Sequence, residues 1–298
     1  MVRVTTVAHA HRALEGLRAS LLDPAFVAAA GVAVGLTASE MGERLAMSIE
    51  EADHALTVLG ARAIPEGRML EIGSGPGILA AALRTAGVDV TTLEPGGRGI
   101  EINRALAHIV MDRLCVHGPH LEITAEELDP REHGRFDFVF SHNVLEHVGD
   151  LDGCIAAVMS VLAPVGAFVS HCPNYRIPYE PHYGSWLVPL RPQWSRPLLS
   201  RKRLKDDGVW ESLNFITAGD VRRNARRHGA TVTFDRGEMA AAFERIGTDA
   251  SFEARHGFLV VVYRVLRSLG LMPLLRRVPG SLLTPMTFTL RKAEERRG

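Results

Sequence analysis

The segment Arg68–Ala80, RMLEIGSGPGILA, constrains the fold of this chain more than any other stretch. Apolar residues at its start predict a short buried strand, and the alanine-rich residues from Ile78 onward predict a helix that leaves the turn. Between them, Gly73, Gly75 and Gly77 let the backbone take positive φ and approach a ligand closely, because glycine has no Cβ. A strand, a glycine-rich turn and a helix in this order predict either a nucleotide-type binding loop or a tight structural turn.

Three later segments favour the binding loop. Residues Val88–Glu94 predict a second strand that ends in a carboxylate, and such an acid can accept hydrogen bonds from ribose hydroxyls. Residues Leu121–Leu128 predict a third short strand followed by small and acidic residues. Residues Phe136–Asp150 predict an apolar strand that opens into a polar turn. Ligands of open α/β sheets bind at the carboxyl ends of parallel strands, where these polar groups would lie.

These residues resemble the motifs of class I S-adenosylmethionine-dependent methyltransferases of the small-molecule type. Glu71 and the glycines after it are similar to the acidic first motif of that family, and Glu94 stands where its ribose-binding acid stands. The segment Phe136–His147 resembles the fourth-strand motif with its Leu-Glu-His ending. The segment Leu162–Gly166 resembles the Leu-x-Pro-Gly-Gly turn before the fifth strand, with Val165 in place of the first glycine.

The resemblance implies an α/β fold. Its centre would be a doubly wound, seven-stranded, mostly parallel Rossmann-like sheet, with N-terminal helices and a helical insertion before the last strand. Alternating strands and helices between Arg68 and Ser170 agree with a parallel sheet. After a helix at Thr217–His228, the segments Thr231–Phe234 and Met286–Leu290 are the predicted last two strands, which are antiparallel in the family.

We divide the chain into parts on this basis. The predicted parts are an N-terminal helical cap at 1–67, a methyltransferase core at 68–234 and 285–292, a substrate loop at 171–210, and a helical insertion at 235–284. Related enzymes carry N-terminal helices that cover the cofactor. The cap is therefore either such a lid or a group of helices that only pack on the sheet. In it, Thr37 and Glu40 have the spacing of a capping box.

The resemblance also implies S-adenosyl-L-methionine as the cofactor. Its predicted binding residues follow the first four strands and are Glu71, Gly73, Ser74, Gly75, Gly77, Glu94, Pro95, Thr124, Ala125, Glu126, Ser141 and His142. Thr124 stands where the family often carries an aspartate beside adenine, so main-chain groups of Ala125 and Glu126 are the alternative. The glycines also allow an NAD(P)-dependent oxidoreductase, because Ala80 can replace the last glycine of a fingerprint that begins at Gly75. A dinucleotide needs neither Glu71 nor the Leu-Glu-His turn.

The predicted reaction moves a methyl group from S-adenosylmethionine to a small-molecule, glycan or lipid-linked acceptor by in-line displacement. Alignment of two reactants can lower a barrier by about 7 to 11 kcal/mol. A general base adds about 10² to 10⁴-fold when the acceptor must lose a proton. The candidate bases are His142, His147 and His182, although His147 could instead orient its own turn. Oxygen, nitrogen and carbon acceptors stay open, as does a scaffold without catalysis.

A loop rich in proline and aromatic residues, His171–Gly184, follows the fifth predicted strand. It resembles a loop with Pro-Asn-Tyr and Glu-Pro-His-Tyr-Gly in bacterial methyltransferases, some of them linked to surface-polysaccharide or lipid pathways. Prolines exclude regular structure here, and the loop is the predicted substrate loop. Its predicted substrate-binding residues are Asn174, Tyr175, Tyr179, Glu180, His182 and Tyr183. A packed cover without substrate contact is the alternative.

Composition argues against nucleic acid as the acceptor. The 34 basic and 34 acidic residues cancel, so no global charge attracts a polyanion. The turn after the fourth strand is Ser141–Val144, without the Asn/Asp-Pro-Pro-aromatic sequence of base amine methylation, and Cys154 is not in a position for cytosine-5 chemistry. Three scattered cysteines predict no disulfide framework and agree with a cytoplasmic location. No metal site is predicted, because Cys115 and the nearby histidines lack a second ligand cluster.

Two basic segments suggest contact with a membrane surface or with phosphate. The run Arg191–Lys205 is one, and a solvated face is its competing interpretation. The other is an amphipathic helix in the insertion, with an apolar face of Phe258, Val261, Val262, Val265, Leu266 and Leu269. Such a helix can lie among lipid headgroups, cover an apolar substrate, or pack on the domain's own surface. The oligomeric state is left open.

Overall fold

The computed structural model describes residues 5–60, 67–95, 101–199, 208–236, 243, 246, 257–275 and 277–293. The strands are β1 Arg68–Ile72, β2 Asp89–Leu93, β3 His120–Leu121, β4 Phe136–His142, β5 Leu162–Cys172, β6 Tyr179–Glu180, β7 Ser185–Trp186, β8 Ala230–Phe234 and β9 Met286–Lys292. The helices are α1 Thr5–Leu21, α2 Pro24–Val34, α3 Ala38–Gly60, α4 Ile78–Thr85, α5 Glu101–Leu114, α6 Leu151–Val161, α7 Val209–Ser212, α8 Ala218–Arg227, α9 Gly257–Ser268 and α10 Met272–Leu275. Short 3-10 turns lie at Ala125–Glu127, Leu145–His147, Pro192–Leu198 and Gly280–Leu282.

The main sheet has seven strands in the order β3-β2-β1-β4-β5-β9-β8. Strand β1 pairs in parallel with β2 and β4, and β2 pairs in parallel with β3. Strands β8 and β9 are antiparallel, and β6 and β7 form a separate antiparallel pair. The predicted seven-stranded, mostly parallel α/β sheet is therefore confirmed. The third strand is short, as predicted: it comprises His120–Leu121, and a 3-10 turn follows at Ala125–Glu127.

The chain divides into two compact units. The first comprises Met1–His142 and Asp152–Phe168, and the second comprises Asn143–Leu151 and Val169–Gly298. All predicted cofactor-binding residues belong to the first unit. His147 and the predicted substrate-binding residues belong to the second. The division into cap, core, loop and insertion stays a prediction.

Local capping explains where the N-terminal helices begin and end. Asp23 accepts a hydrogen bond from the Phe26 N–H over 2.9 Å, and Pro24 occupies the first position of α2, where no N–H is needed. Gly35 ends that helix with φ 75°. Before α3, the Thr37 hydroxyl and the Glu40 carboxylate form the predicted capping box, with the Thr37 N–H donating to Glu40 over 2.9 Å.

Both layers of the first unit bury continuous apolar rows. One face of α3 is buried at helical spacing through Met41, Leu45, Ile49, Leu56 and Leu59. Strand β4 is buried on both faces, because Phe138 and Phe140 on one face and Val139 and Ser141 on the other are almost fully excluded from water. A strand covered on both sides is typical of a parallel sheet that helices flank.

The second unit contains α8 and α9. Thr217 caps α8 and accepts from the Asp220 N–H over 3.3 Å, and the helix exposes its arginines at positions 222, 223, 226 and 227 as predicted. Val261 and Val265 on α9 are 57% and 50% exposed, and Leu269, one residue past the end of this helix, is 64% exposed. The side chain of Phe258 and much of the predicted insertion lie outside the described residues.

No single helix in the described ranges is long and apolar enough to cross a membrane. Two consecutive helical segments, Val7–Leu21 and Pro24–Val34, are together long and apolar enough, but the chain bends by 77° between them.

Candidate active site

A glycine-rich loop joins β1 to α4. Gly73, Gly75 and Gly77 have positive φ values of 71°, 51° and 75°. The N–H groups of Gly73 and Ser74 donate to the Leu93 carbonyl over 2.8 and 3.2 Å, which fixes the loop to the end of β2. A Cβ built on Gly75 would meet no heavy atom within 4 Å. The loop therefore leaves open space at its middle glycine, as close approach of a ligand requires.

Two buried polar side chains beside this loop have atoms without partners. Glu71 Oε2 and Ser74 Oγ form no hydrogen bond with any residue that the structure describes. Burial raises the pKa of Glu71 to about 8, an effect that the Arg84 guanidinium opposes and the Glu94 carboxylate reinforces. Buried polar atoms are normally paired, so a ligand with ammonium and hydroxyl donors fits this place. S-adenosylmethionine carries both kinds of donor.

Glu94 follows β2 and is buried against the glycine loop. Its Oε2 accepts from the Gly75 N–H over 2.8 Å, and the Asn103 side chain also donates to its carboxylate. Burial raises the pKa of Glu94, while these two hydrogen bonds oppose the rise. The Asn103 Oδ1 in turn accepts from Arg44 Nη2 over 2.6 Å. Helix α3 is thus linked through Asn103 to the predicted ribose-binding carboxylate.

Ser141 and His142 end β4. Ser141 is fully buried and pairs with Ile72 of β1, so both lie at the carboxyl edge of the sheet beside the glycine loop. His142 Nε2 lies 2.8 Å from Nδ1 of His54 on α3, with the two rings edge to face at 5.0 Å. No motif or spacing predicts that His54 contacts a candidate base. The lid function of the N-terminal helices stays a prediction.

The turn after β3 uses Thr124 as a helix cap. Its N–H and its hydroxyl both donate to the Glu127 carboxylate, over 2.7 and 3.0 Å. The side chain is therefore committed to the turn, which favours the main chain of Ala125 and Glu126 for contact with adenine. That contact stays a prediction, as does the contact of half-buried Pro95.

In the second unit, the predicted substrate loop is organised around Glu180. This carboxylate is fully buried and accepts from the Tyr175 hydroxyl over 3.2 Å and from the Tyr183 N–H over 2.7 Å. His182 Nδ1 lies 2.6 Å from Glu180 Oε1. Burial raises the pKa of Glu180, but the hydrogen bonds and charge of His182 outweigh it and the net shift is downward. Glu180 is therefore ionised at neutral pH.

His147 lies against His182, with ring centroids 5.3 Å apart. Its Nδ1 is 2.7 Å from the Ser212 hydroxyl of α7. Burial and the neighbouring His182 lower the pKa of His147 to about 4, so the imidazole is neutral at physiological pH. The adjacent Glu146 is fully buried, and its charge raises the pKa of the Cys172 thiol, second to burial. We call Glu146, His147, Glu180 and His182 the histidine-carboxylate cluster.

Other predicted substrate-binding residues support the fold. The Asn174 amide donates to the carbonyls of Ser281 and Leu283 over 3.1 and 2.9 Å, and its oxygen accepts from the Ala218 N–H. Tyr179 is buried and packs edge to face on Trp186. The roles of Asn174 and Tyr179 in substrate binding stay predictions.

Sequence reasoning missed two residues that hold the cluster. Ser212 fixes the His147 ring, and the Asn214 amide donates to the carbonyls of Leu145 and Val148 over 2.6 and 2.9 Å. Both residues lie far from the Leu-Glu-His turn in sequence. No short motif connects them to it, so only the three-dimensional arrangement shows their roles.

The basic run is partly described. Arg191 stacks over the Trp194 ring at 5.4 Å, and Arg196 forms an ion pair with Glu211. These two arginines have neighbours within the protein. The remaining basic residues, Arg201, Lys202, Arg203 and Lys205, lie outside the described residues.

Comparison with known proteins identifies the family of the chain. The methyltransferase domain family matches residues 41–248. An uncharacterised protein of Mycobacterium tuberculosis is 33% identical over 231 residues, covering 75% of this chain and 78% of that protein. A ubiquinone biosynthesis O-methyltransferase of Rhodopseudomonas palustris is 32% identical over 102 residues, covering 33% of this chain and 37% of that protein.

Solved structures also resemble the chain. Phosphoethanolamine N-methyltransferase 2 of Haemonchus contortus, solved with S-adenosyl-L-methionine, aligns with a TM-score of 0.48 and 17% identity over 81% of this chain and 53% of that chain. The CcbJ methyltransferase of Streptomyces caelestis aligns with a TM-score of 0.47 and 16% identity over 82% of this chain and 90% of that chain.

Fold and site together define a class I S-adenosylmethionine-dependent methyltransferase. The chain belongs to the methyltransferase domain family, whose match spans most of its length. Its cofactor is S-adenosyl-L-methionine, as predicted. The NAD(P)-dependent oxidoreductase that the glycines alone allowed is set aside.

Proposed function

We propose that this enzyme methylates a hydroxyl oxygen on a small-molecule, glycan or lipid-linked acceptor, and that the histidine-carboxylate cluster receives the acceptor. The observation that carries the proposal is the hydrogen bond between the buried Glu180 carboxylate and His182, beside the His147 ring. A hydroxyl must lose its proton when its oxygen takes a methyl group. An imidazole next to an ionised carboxylate can accept a hydrogen bond and then the proton from such a hydroxyl.

The reaction itself needs little covalent chemistry from the protein. The acceptor oxygen attacks the methyl carbon in line with the methyl-sulfur bond, and the bond to sulfur breaks as the bond to oxygen forms. S-adenosylhomocysteine leaves as a neutral thioether, and the hydroxyl proton is released. Alignment of the two reactants supplies about 7 to 11 kcal/mol of barrier lowering.

The cofactor-binding roles within the proposal follow the geometry of the first unit. Glu71 and Ser74 receive the donors of the methionine portion, since their buried atoms have no partner in the described residues. Glu94 receives the ribose hydroxyls with the oxygen that does not accept from Gly75. The open space at Gly75 lets the cofactor approach the main chain of the loop.

Within the acceptor classes, a lipid-linked acceptor has the most support. Val261, Val265 and Leu269 are half-exposed or more, and Arg264 and Arg267 lie on the same helix. Such a helix suits the surface of an anionic membrane, where lipid-linked substrates are found. One relative, whose match covers 33% of this chain, is a ubiquinone biosynthesis O-methyltransferase. A cytoplasmic enzyme with peripheral membrane contact is consistent with both observations.

The test uses the purified full chain and S-adenosylmethionine with a deuterated methyl group. It is incubated with a polyprenylated hydroquinone, a glycolipid and a free phenol, and the products are identified by mass spectrometry. We expect labelled methyl on oxygen of a lipid-linked substrate. Transfer only to an amine would refute the hydroxyl acceptor, and cofactor binding without transfer to any native lipid extract would favour the scaffold.

The role of the cluster is tested by Glu180→Gln. We expect a fall of about 10²-fold in turnover with unchanged affinity for S-adenosylmethionine, because the substitution removes the charge that orients His182. Glu211→Gln is the matched control, since this carboxylate is exposed on α7 and pairs with Arg196. Equal turnover of both variants would remove the cluster from the acceptor site.

A further inference from the structure

Three side chains of the second unit converge in the arrangement of metal ligands. One ligand atom each from Glu146, His147 and His182 lies within 4.8 Å of the other two. Glu146 and His147 are neighbours in a 3-10 turn, and His182 comes from the substrate loop. Two imidazoles and one carboxylate are a common donor set for a divalent transition-metal ion.

Both imidazole rings form a contact through Nδ1. His182 Nδ1 lies 2.6 Å from Glu180 Oε1, and His147 Nδ1 lies 2.7 Å from the Ser212 hydroxyl. In the proposed site the cation would be bound through Nε2 of each ring. Histidine ligands in metalloproteins almost always have such a contact on the other ring nitrogen, most often with a carboxylate or another acceptor.

The local charge also favours a cation. Glu146 and Glu180 are both fully buried carboxylates, and both raise the pKa of the Tyr175 phenol after burial itself. The charge of a buried carboxylate attracts a nearby cation more strongly than it would in water, because the local dielectric constant is lower. A divalent ion between Glu146 and the two imidazoles would offset this negative potential.

We propose that Glu146, His147 and His182 bind a divalent transition-metal ion of the zinc type, and that Glu180 and Ser212 orient the two imidazoles. Three protein ligands leave a coordination position open for the acceptor oxygen. A bound cation lowers the pKa of a hydroxyl that coordinates it, so the proton passes to water and the oxygen attacks the methyl group. This inference rests on the proposed methylation of a hydroxyl and gives the cluster its chemical role there.

The ligand chemistry argues for a borderline metal rather than magnesium. Magnesium prefers oxygen ligands and keeps several waters, whereas imidazole suits zinc, cobalt, nickel and iron. The two nitrogens and one oxygen of this site match the second group. The cysteine and histidine residues at positions 115, 117 and 120, which the sequence brings close together, are not part of the cluster.

The experiment measures metal binding directly. The untagged full chain, freed of metal by a chelator, is titrated with zinc chloride by calorimetry and with cobalt(II) by visible absorption. We expect one ion per chain and cobalt bands typical of a site with nitrogen ligands, with no comparable heat for magnesium. Binding no tighter than that of a His182→Ala variant would overturn the proposal.

Variants separate ligands from orienting residues. We expect His182→Ala to weaken zinc binding by at least about 100-fold, and Glu180→Gln or Ser212→Ala by about 10-fold, in line with the usual effect of losing an orienting contact. His117→Ala is the control, because this histidine is exposed in the first unit, and it should leave zinc affinity unchanged. Equal losses in His117→Ala and His182→Ala would refute the site.

Cofactor affinity serves as the internal check on folding and on the proposed function. Each variant is also titrated with S-adenosylmethionine, whose predicted ligands lie in the first unit. A variant that keeps cofactor affinity and loses zinc is folded, and its loss reports on the site. Zinc binding without methyl transfer to a hydroxyl would contradict the proposed function alone, and transfer without zinc binding would contradict this inference alone.

Discussion

Gly75 gives the most direct test of the cofactor loop, because the space in front of its Cα is open. We expect Gly75→Val to abolish S-adenosylmethionine binding in calorimetry while the chain stays folded. The branched side chain would occupy the space that the cofactor needs, and φ 51° adds backbone strain of roughly 1 to 2 kcal/mol. Loss of binding through strain alone is the competing explanation.

Gly87 supplies the matched control for that strain. It has φ 85°, lies in the turn between α4 and β2, and also has no heavy atom within 4 Å of a built Cβ. Gly87→Val should lower the melting temperature about as much as Gly75→Val and leave cofactor affinity intact. Similar affinities for the two variants would exclude the loop from the cofactor site.

Glu71 predicts a proton linked to cofactor binding. The carboxyl group keeps its proton up to about pH 8 in the free enzyme because of its burial. An ammonium group placed beside it favours the ionised form, so binding at about pH 6 to 7 should release a proton and tighten as pH rises. Calorimetry in two buffers with different ionisation enthalpies measures this release. Identical heats in both buffers, or unchanged release in Glu71→Gln, would contradict the prediction.

The same shift predicts the pH dependence of stability. Between the ordinary carboxyl value of 4.5 and about 8, the native state holds a proton that the unfolded state has lost. The contribution of Glu71 to stability is therefore complete below the lower value and declines as pH rises toward the upper one. Urea unfolding from about pH 5 to 8 should show this decline in the wild type and a flatter profile in Glu71→Gln.

At the scale of the elements, local sequence rules predict helix ends well. The Thr37–Glu40 and Thr217–Asp220 pairs form the hydrogen bonds that their spacing indicates. The glycine loop and the two antiparallel last strands also follow from local pattern and family resemblance. The third strand has only two residues, because Thr124 and Glu127 cap a 3-10 turn where a longer strand would continue.

Contacts between distant elements could not be predicted in this way. His54 and His142, or Arg44 and Asn103, are far apart in the chain, and no fixed spacing connects them. Each of these pairs depends on how α3 packs within the first unit. Side-chain partners of this kind are decided by packing and not by the residue types around them.

Helix α3 yields a prediction of its own. We expect Arg44→Ala to weaken S-adenosylmethionine binding by about 2- to 10-fold, because Asn103 loses the hydrogen bond that holds it against Glu94. Arg18→Ala is the control, since Arg18 pairs with Glu50 of the same helix on an exposed surface. Cofactor affinities are measured by calorimetry. Equal cofactor affinities for Arg44→Ala and Arg18→Ala would show that Arg44 of α3 does not support cofactor binding by Glu94.

At the scale of the whole molecule, the candidate residues for acceptor binding come from different parts of the sequence. The histidine-carboxylate cluster joins the turn after β4, the loop after β5 and Ser212 of α7. The sequence identified His147, Glu180 and His182 separately, as a turn residue and two loop residues. It could not show that they lie together, because that depends on the packing of irregular segments.

The exposed apolar residues Val261, Val265 and Leu269 give the last prediction, which concerns how the enzyme reaches its acceptor. We expect the full chain to float with vesicles that contain anionic lipid, and to be released by high salt because Arg264 and Arg267 contribute to binding. Replacing Val261 and Leu269 by serine should remove vesicle binding while cofactor affinity stays unchanged. Serine at Val32 and Met47, which are 83% and 49% exposed on α2 and α3, is the matched control and should not affect flotation. If both double variants still floated with the vesicles, Val261 and Leu269 would have no part in membrane contact. A water-soluble acceptor would then be the better-supported class.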